Sequence, residues 1–408
     1  MQKRLFIGLV FGVLMMHAGT VCAEEQVPSK GLRWFYRMAY RLDNFLLQGV
    51  DTNYITLPEH SWRLAYTTSM VGINSMLDLR DVDDIGTITF ASRTTPSVDL
   101  GFNAGYRSFG VSYSWDVLHA YSQKLSLSLG SKRFGLEFDR ATSTDIRGYL
   151  TLHNYPDIPT MDMKPGYMWI TNTRLSVWYA LNAAHYSHQA AIKQSYIQRK
   201  TAGSLLLSLT YLSTDLSLHD SVTYQGKPVF VMLMDDVSRM VTHQVAVGIG
   251  YGINYTPNKG KVILHLSANA ELVCYSIDQI SFALPDTMEL PGMPQYTIKP
   301  KYPVHVTGNI RAAVSWEINK WVHLSAYGQA NNIRFTARED ELSKLHMDNW
   351  NWQARITIGV RFGAGRDRVQ RSLDYDRQNG VLAPIEPVVP RKSRLPKWVT
   401  DYFYSPLI

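Results

Sequence analysis

The sequence predicts an all-β protein, a transmembrane antiparallel up-and-down β-barrel of about 12 strands. Three observations predict this fold: long segments of alternating apolar and polar residues, a low share of charged residues (18%) beside 12% aromatic residues, and an N-terminal export signal. No apolar run after that signal approaches the roughly 20 residues of a membrane-spanning helix. A membrane protein of this composition is expected to cross the bilayer with strands, and a soluble exported all-β protein is the competing class.

Residues 1–23 are predicted to be a secretory signal peptide. Two basic residues precede an apolar run from Leu5 to Met16, and Val21-Cys22-Ala23 provides a small-residue cleavage site. Cleavage leaves one cysteine, Cys274, so no disulfide is expected within the exported chain. The formal net charge of +7 is too small to indicate a nucleic-acid partner.

Residues 24–60 are predicted to form a short amphipathic helix and a lead-in to the barrel. Apolar residues recur there at helical spacing, namely Leu32, Phe35, Met38, Ala39, Leu42, Phe45 and Leu46. Arg33, Arg37 and Arg41 lie between them. Such a basic helix could lie on a membrane surface or pack against the rest of the protein, and the sequence leaves both interpretations open.

Residues 61–363 are predicted to form the barrel, because their apolar residues recur with a period of two. In the stretch KVILHLSANAELVC, Leu264 belongs to an apolar row and His265 to a polar one. The polar residues that we expect to line the lumen are His265, Asn269, Glu271, Arg311, Glu317, Arg355 and Arg361. The mixed charges of this set can pair inside a narrow lumen. Glycines expected to be small inward positions beside bulky side chains are Gly248, Gly250 and Gly252.

Connections of two lengths alternate along this segment, as in outer-membrane barrels. Short turns are predicted at Arg107-Ser108, 130–133, 258–260 and 319–320. Long segments are predicted at 81–96, 153–166, 214–239 and 278–303. We interpret Gln189 to Leu212 as one long, bent strand.

Aromatic residues at the strand ends indicate two interfacial girdles. The predicted girdle residues are Tyr106, Phe109, Trp316, Trp321, Trp350 and Trp352. If the apolar rows face hydrocarbon, Leu264→Arg should cost about 2–4 kcal/mol, whereas His265→Arg should be tolerated. Burial of Leu264, Ile310 and Ile358 against a second sheet would instead indicate a soluble sandwich.

Four segments resemble an uncharacterised family: DTNYI at Asp51–Ile55, GFNAGYRSFGVSYSWDV at Gly101–Val117, QRKTAGS at Gln198–Ser204 and GIGYGINY at Gly248–Tyr255. This is the outer-membrane barrel family of Bacteroides-type bacteria designated domain of unknown function 4421. The resemblance covers most of Asp51 to Phe362 and implies a barrel in the outer membrane. It implies no activity, and the tail after Gly363 departs from the family pattern.

Two pairs of residues have the His-x-Ser spacing that outer-membrane phospholipases use on a barrel strand. They are His265 with Ser267 and His323 with Ser325, and Asn269 and Asn331 lie near them in the sequence. A serine nucleophile with a histidine base is the corresponding chemistry. Both pairs fall on the polar, inward face, away from lipid, so we predict no catalytic residue and no enzyme activity.

Metal and cofactor sites are not predicted. His185 and His188 could ligate a metal ion, but no cysteine or acidic cluster completes the set. Asp81, Asp83 and Asp84 could bind calcium, but they lack the spacing of an EF-hand loop.

Residues 364–408 form a charged, Pro-rich tail that is expected in the periplasm, as is the N-terminus, because the strand number is even. This tail could bind a periplasmic partner, fold back as a plug or be disordered. The sequence therefore predicts an outer-membrane protein with a structural or interaction role, or with a narrow, partly occluded pore. The alternatives are a lipid-modifying enzyme and a soluble exported β-protein. Expected partners are outer-membrane lipid and, during insertion, the barrel-assembly machinery.

Overall fold

A computed structural model describes most of the chain after residue 29. The described ranges are 30–82, 86–94, 97–117, 122–131, 133–144, 146–153, 157, 160–163, 168–218, 223–224, 227–228, 237–282, 295–298, 304–336, 345–363 and 366–379. The predicted signal peptide and residues 380–408 of the predicted tail lie outside these ranges, and the division of the chain into four regions stays a prediction.

The elements of the described residues follow in chain order. The helices are α1 (Lys30–Leu47), α2 (Gln189–Ile192) and α3 (Arg366–Gln378). The strands are β1 (Ile55–Thr56), β2 (Trp62–Val82), β3 (Gly86–Thr94), β4 (Ser97–Tyr106), β5 (Phe109–Asp116), β6 (Ser122–Gly130), β7 (Phe134–Ser143), β8 (Ile146–Leu152), β9 (Met161–Met163), β10 (Met168–Ala180), β11 (Ile197–Gln198), β12 (Ala202–Leu218), β13 (Thr223–Tyr224), β14 (Lys227–Pro228), β15 (Val237–Tyr255), β16 (Val262–Phe282), β17 (Gln295–Ile298), β18 (His305–Glu317), β19 (Val322–Thr336) and β20 (Leu345–Phe362). None of the described helices is long and apolar enough to cross a membrane.

The structure is a closed antiparallel barrel of 12 strands, which confirms the predicted fold class. The wall runs β2, β4, β5, β6, β7, β10, β12, β15, β16, β18, β19 and β20. It closes where β20 returns to β2, with Trp62 opposite Phe362. Strand β4 pairs with the first half of β2, and β3 pairs with the second half of β2. Strand β8 pairs with the other edge of β3.

The two ends of the barrel differ in their connections. The turn end carries the predicted short turns and one long connection, residues 181–201, whereas the loop end carries the predicted long connections. At the turn end Arg107 adopts a left-handed φ of 51°, and Lys259 and Gly260 adopt φ values of 46° and 91°. There is also no room for a side chain at Gly260, because a Cβ there would lie 2.7 Å from the carbonyl oxygen of Gln198.

The wall has two chemically different faces, as the alternation predicts. The exposed fractions of Leu264, Ile310 and Ile358 are 39%, 56% and 52%. The inward side chains of His265 and Arg311 are only 3% and 4% exposed. No second sheet packs on the apolar rows within the described ranges. An apolar outer face around a polar interior is the arrangement of a barrel in lipid and not of a soluble sandwich.

One expectation about the chain between the strands is wrong. The segment from Gln189 to Leu212 is not one bent strand, because α2 and β11 precede β12, which begins at Ala202. The described start of the tail forms α3, which packs on α1 through ion pairs from Arg33 and Arg37 to Asp376. The structure of both segments depends on partners distant in the sequence.

Candidate functional site

Residues 181–201, which join β10 to β12 at the turn end, fold into the lumen, and we call them the plug. The chain turns inward at Asn182, whose backbone N–H donates to Ser204 Oγ at 2.9 Å and whose carbonyl accepts from the N–H of Tyr186 at 2.9 Å. It reverses at Gln194, which has a left-handed φ of 53°. The buried plug residues include Tyr186, Ser187, His188, Gln189, Ala190, Ala191, Ile192, Gln194, Ser195 and Tyr196.

One side of the plug is apolar and is completed by the lead-in to the barrel. Ile55 and Thr56 pair with β11, so the lead-in lies beside the plug. The buried cluster formed there comprises Ile55, Leu57, Ala190, Ala191, Ile192, Tyr196, Ile263 and Ala313. Ile263 and Ala313 are inward-facing wall residues that interrupt the polar row. Such apolar residues at inward positions are the sequence signal that could have indicated a plug.

The other side of the plug is polar and hydrogen-bonds to the wall. The Asn254 side-chain amide on β15 donates to the carbonyl of Ser187 at 2.7 Å and to Gln198 Oε1 at 3.2 Å. Gly252 lies on the same strand, and a Cβ there would come within 2.1 Å of Tyr186 Oη. The wall and the plug are therefore complementary in both shape and hydrogen bonding.

A buried charge network joins the plug to distant parts of the wall. Arg311 Nη1 on β18 donates to Glu137 Oε2 on β7 at 2.8 Å and to His188 Nε2 at 3.3 Å. Burial, reinforced by the charges of Arg311 and Lys193, holds the pKa of His188 well below its usual value. The ring is therefore neutral, and because Nε2 accepts from Arg311, Nδ1 carries the proton that is donated to Tyr186 Oη at 3.0 Å.

Lys193 is the least exposed of the three cationic side chains of the plug, which also include Arg199 and Lys200. Burial lowers its pKa to about 8, although the charges of Glu137 and Asp139 favour the protonated form. The plug therefore brings a weakened base close to two wall carboxylates.

Between the plug and the loop end, wall side chains contact one another across the lumen. Asn172 Nδ2 donates to Asn351 Oδ1 at 3.0 Å. These residues lie on β10 and β20, which are separated by five strands in either direction around the wall. Arg174 and Glu271 form an ion pair of 2.5 Å in the same half. A cavity of ≈ 70 Å³ bordered by Asn172, Arg174 and Asn351 holds no more than a few water molecules.

One of the two His-x-Ser pairs forms a hydrogen-bonded chain. His265 Nδ1 lies 2.8 Å from Asn254 Oδ1, and His265 Nε2 lies 3.1 Å from Ser267 Oγ. The Asn254 amide nitrogen donates to the plug, so its oxygen must accept from Nδ1–H, which leaves Nε2 to accept the Ser267 proton. This is the polarity of a serine nucleophile with its base. However, Asn254, His265 and Ser267 are buried beneath the plug at 0%, 3% and 2% exposure.

The second pair does not form such a chain. Neither ring nitrogen of His323 has a hydrogen-bond partner among the described residues, so Ser325 is not activated by it. The neighbouring asparagines that the sequence suggested, Asn269 and Asn331, do not bond to either histidine in the described hydrogen bonds, and Asn254 takes that place at His265. The expectation that His265→Arg is tolerated is also revised, because the His265 ring packs 5.2 Å from that of His188.

The residues expected to line the lumen all point inward. His265, Glu271, Arg311 and Arg361 are buried, whereas Asn269, Glu317 and Arg355 are partly buried. Arg361 pairs with Glu317 at 2.7 Å near the turn end, and Arg355 stacks on the Tyr327 ring at 4.9 Å. Whether they line a conducting path stays a prediction.

The residues expected in the aromatic girdles point outward. Phe109, Trp316 and Trp321 are exposed at the turn end, and Trp350 is exposed toward the loop end. The other two are partly covered: Tyr106 packs against Trp62 at 4.8 Å between ring centroids, and Trp352 lies over Gly72. Their contact with lipid stays a prediction.

The structure separates the two histidines considered as metal ligands. His185 lies 3.6 Å from Asp51 and contacts the Tyr54 ring, whereas His188 belongs to the Arg311 network. Within the described ranges, no group of three or more His, Cys, Asp or Glu side chains comes together. Of the three loop aspartates, Asp83 and Asp84 lie outside those ranges.

The fold and its interior define an outer-membrane-type β-barrel whose turn-end lumen is occupied by its own chain. Residues 49–362 match the family described as Domain of unknown function (DUF4421), and the chain belongs to this family. No curated protein matches the sequence.

Several solved outer-membrane proteins are similar in structure at low identity. The outer membrane protease OmpT from Escherichia coli has 9% identity and a TM-score of 0.36, covering 75% of this chain and 98% of its own. The translocator domain of the autotransporter NalP from Neisseria meningitidis has 11% identity and a TM-score of 0.32, with coverages of 81% and 97%. The toluene transporter TodX from P. putida has 8% identity and a TM-score of 0.25, with coverages of 74% and 90%. At these values the likenesses carry no argument about activity.

Proposed function

We propose that the protein is an outer-membrane barrel with a structural or interaction role, whose lumen is closed to solutes. The observation that carries this proposal is the contact between Asn172 and Asn351 on opposite walls, above a plug that fills the turn end. A twelve-stranded wall encloses little space, and this space is occupied by paired side chains.

The exposed apolar face supports the outer membrane as the location. Because a spanning sheet must satisfy every backbone group in lipid, closure of the wall fits this environment. In this proposal the barrel-assembly machinery inserts the chain, the loop end faces outward, and α1 and α3 lie in the periplasm. The C-terminal tail is then available to a periplasmic partner.

The location is tested by membrane fractionation and by gel mobility with and without boiling. We expect the protein in the outer-membrane fraction, with a mobility that changes on heating. A protein that remains in the soluble fraction would instead support the exported soluble alternative.

The closed lumen is tested with purified protein in liposomes that contain a small sugar. We expect no more sugar release than from protein-free liposomes, whereas an open porin provides the positive control. Sugar release proportional to the protein content would overturn the closed-lumen proposal and favour a pore.

A hydrolase is the second candidate function, and the Asn254–His265–Ser267 chain is the observation that favours it. A fluorophosphonate probe tests it, because the serine oxygen would displace fluoride at phosphorus while His265 takes the serine proton. The burial of Ser267 predicts no labelling of the folded protein. Labelling that is lost in Ser267→Ala and kept in Ser325→Ala would support the enzyme.

A further inference from the structure

Helix α1 exposes a row of large apolar side chains on one face. Trp34, Met38, Leu42 and Phe45 are 59%, 49%, 36% and 58% exposed. Their spacing of three and four residues places them on one side of the helix, and we call them the α1 stripe.

The α1 stripe is not needed to hold the helix on the protein. The opposite side of α1 buries Tyr36, Ala39 and Leu46. On that side Asp43 forms an ion pair of 2.5 Å with the turn residue Arg107. The contacts that hold α1 on the protein therefore do not involve the exposed apolar side chains of the stripe. A contiguous exposed apolar row of this kind indicates an interaction surface.

The position of α1 indicates which surface covers the stripe. Phe35 borders the stripe on the helix, and its ring centroid lies 6.2 Å from that of Tyr106. Tyr106 points outward at the turn end, directly opposite the exposed Phe109. The stripe therefore continues the outward aromatic surface of the wall at the turn end.

The rest of the exposed helix surface is polar, as an interfacial helix requires. Arg41, Asn44 and Gln48 are exposed on the side of the stripe that lies away from Phe35. A helix with one apolar side and a polar side that carries an arginine fits the plane of a bilayer surface.

We propose that the α1 stripe inserts into the lipid leaflet at the turn end and anchors the plugged end of the barrel to the membrane surface. This inference rests on the proposed membrane location. The occupant is the leaflet itself, and lipid acyl chains contact Met38 and Phe45 while Arg41 stays at the head groups.

Site-specific quenching by lipid tests this proposal. Cys274→Ala leaves no cysteine in the chain after residue 23, and the protein is prepared as that chain. Single cysteines introduced there at Met38, Phe45, Asn44 and Leu266 carry an environment-sensitive fluorophore. The labelled proteins are reconstituted in phosphatidylethanolamine–phosphatidylglycerol vesicles with brominated acyl chains. Asn44 is the matched control because it precedes Phe45 but lies on the polar side, and Leu266 reports the barrel wall.

We expect strong bromine quenching at Leu266, Met38 and Phe45, and little quenching at Asn44. Quenching at Leu266 alone would overturn the α1 proposal while leaving the membrane barrel intact, including the case in which a second protein or copy shields Met38. Absence of quenching at Leu266 as well would overturn the membrane location itself.

Discussion

The two halves of the lumen are occupied in different ways. The turn-end half is filled by backbone, because the plug and the lead-in bring apolar side chains against Ile263 and Ala313. In the loop-end half, the described contacts across the lumen are made by wall side chains, such as Asn172 and Asn351. Removing one wall side chain is therefore expected to widen the loop-end half, whereas opening the turn end requires removal of the plug.

The largest effect is expected where the two closures meet, at the ion pair between Arg311 and Glu137. Arg311→Met leaves the Glu137 carboxylate buried without its partner and should cost about 3–5 kcal/mol of unfolding free energy. Urea titration of the protein in lipid vesicles measures this loss.

The exposed pair of Arg239 and Asp215 provides the matched control. Arg239→Met should cost less than about 1 kcal/mol, because exposed ion pairs contribute little. The double variant Glu137→Gln with Arg311→Met should recover part of the loss, and equal losses at the buried and exposed pairs would contradict the network.

In the proposed membrane location, the outer face of the wall contacts hydrocarbon over only part of its height. On β12, Leu209 is exposed in the apolar row, whereas Ser213 on the same face begins the polar surface toward the loop end. Leu209→Arg should cost about 2–4 kcal/mol and Ser213→Arg about 0–1 kcal/mol, by urea titration in vesicles. Equal costs would place the edge of the hydrocarbon elsewhere.

A smaller loss of stability is expected where the plug lies against the wall. Gly252→Ala forces Tyr186 away from the wall and should cost about 1–3 kcal/mol. Gly308→Ala is the control, because its Cβ would meet nothing closer than 4.0 Å. Thermal unfolding monitored by gel mobility compares them, and indistinguishable variants would show that the plug does not lie against β15.

The smallest effect is a pH dependence confined to the turn-end half. The pKa of Lys193 falls from 10.5 to about 8 on folding, so the unfolded chain binds more protons between these values. Stability should therefore rise as pH increases from about 8 to 10.5, measured as the urea midpoint. Lys193→Met should remove this rise, and a slope that persists in the variant would assign it to another group.

The wall could be predicted from the sequence because each strand carries its own two-faced pattern. Leu264 and His265 illustrate this, since adjacent residues face different surroundings wherever the strand lies in the barrel. The strand number and the short turns followed from the same pattern.

The plug could not be predicted, because its structure is determined by partners far away in the sequence. Ala190, Ala191 and Ile192 are compatible with a strand, and they form a helical turn only where Ile55, Ile263 and Ala313 surround them. Likewise, the order of the Asn254–His265–Ser267 chain depends on the plug carbonyl of Ser187. The His-x-Ser spacing was visible in the sequence, but its asparagine partner on the neighbouring strand was not.

Single-channel recording in planar bilayers is the test of the closed lumen. The intact protein is compared with a variant in which residues 183–199 are replaced by a short Gly-Ser turn and both Asn172 and Asn351 are replaced by alanine, so that both halves of the lumen lose the groups that occupy them. We expect a silent baseline for the intact barrel and discrete conductance steps for the variant, with gel mobility showing that both are folded. Steps of equal size in both proteins would show that neither the plug nor the asparagine pair closes the lumen.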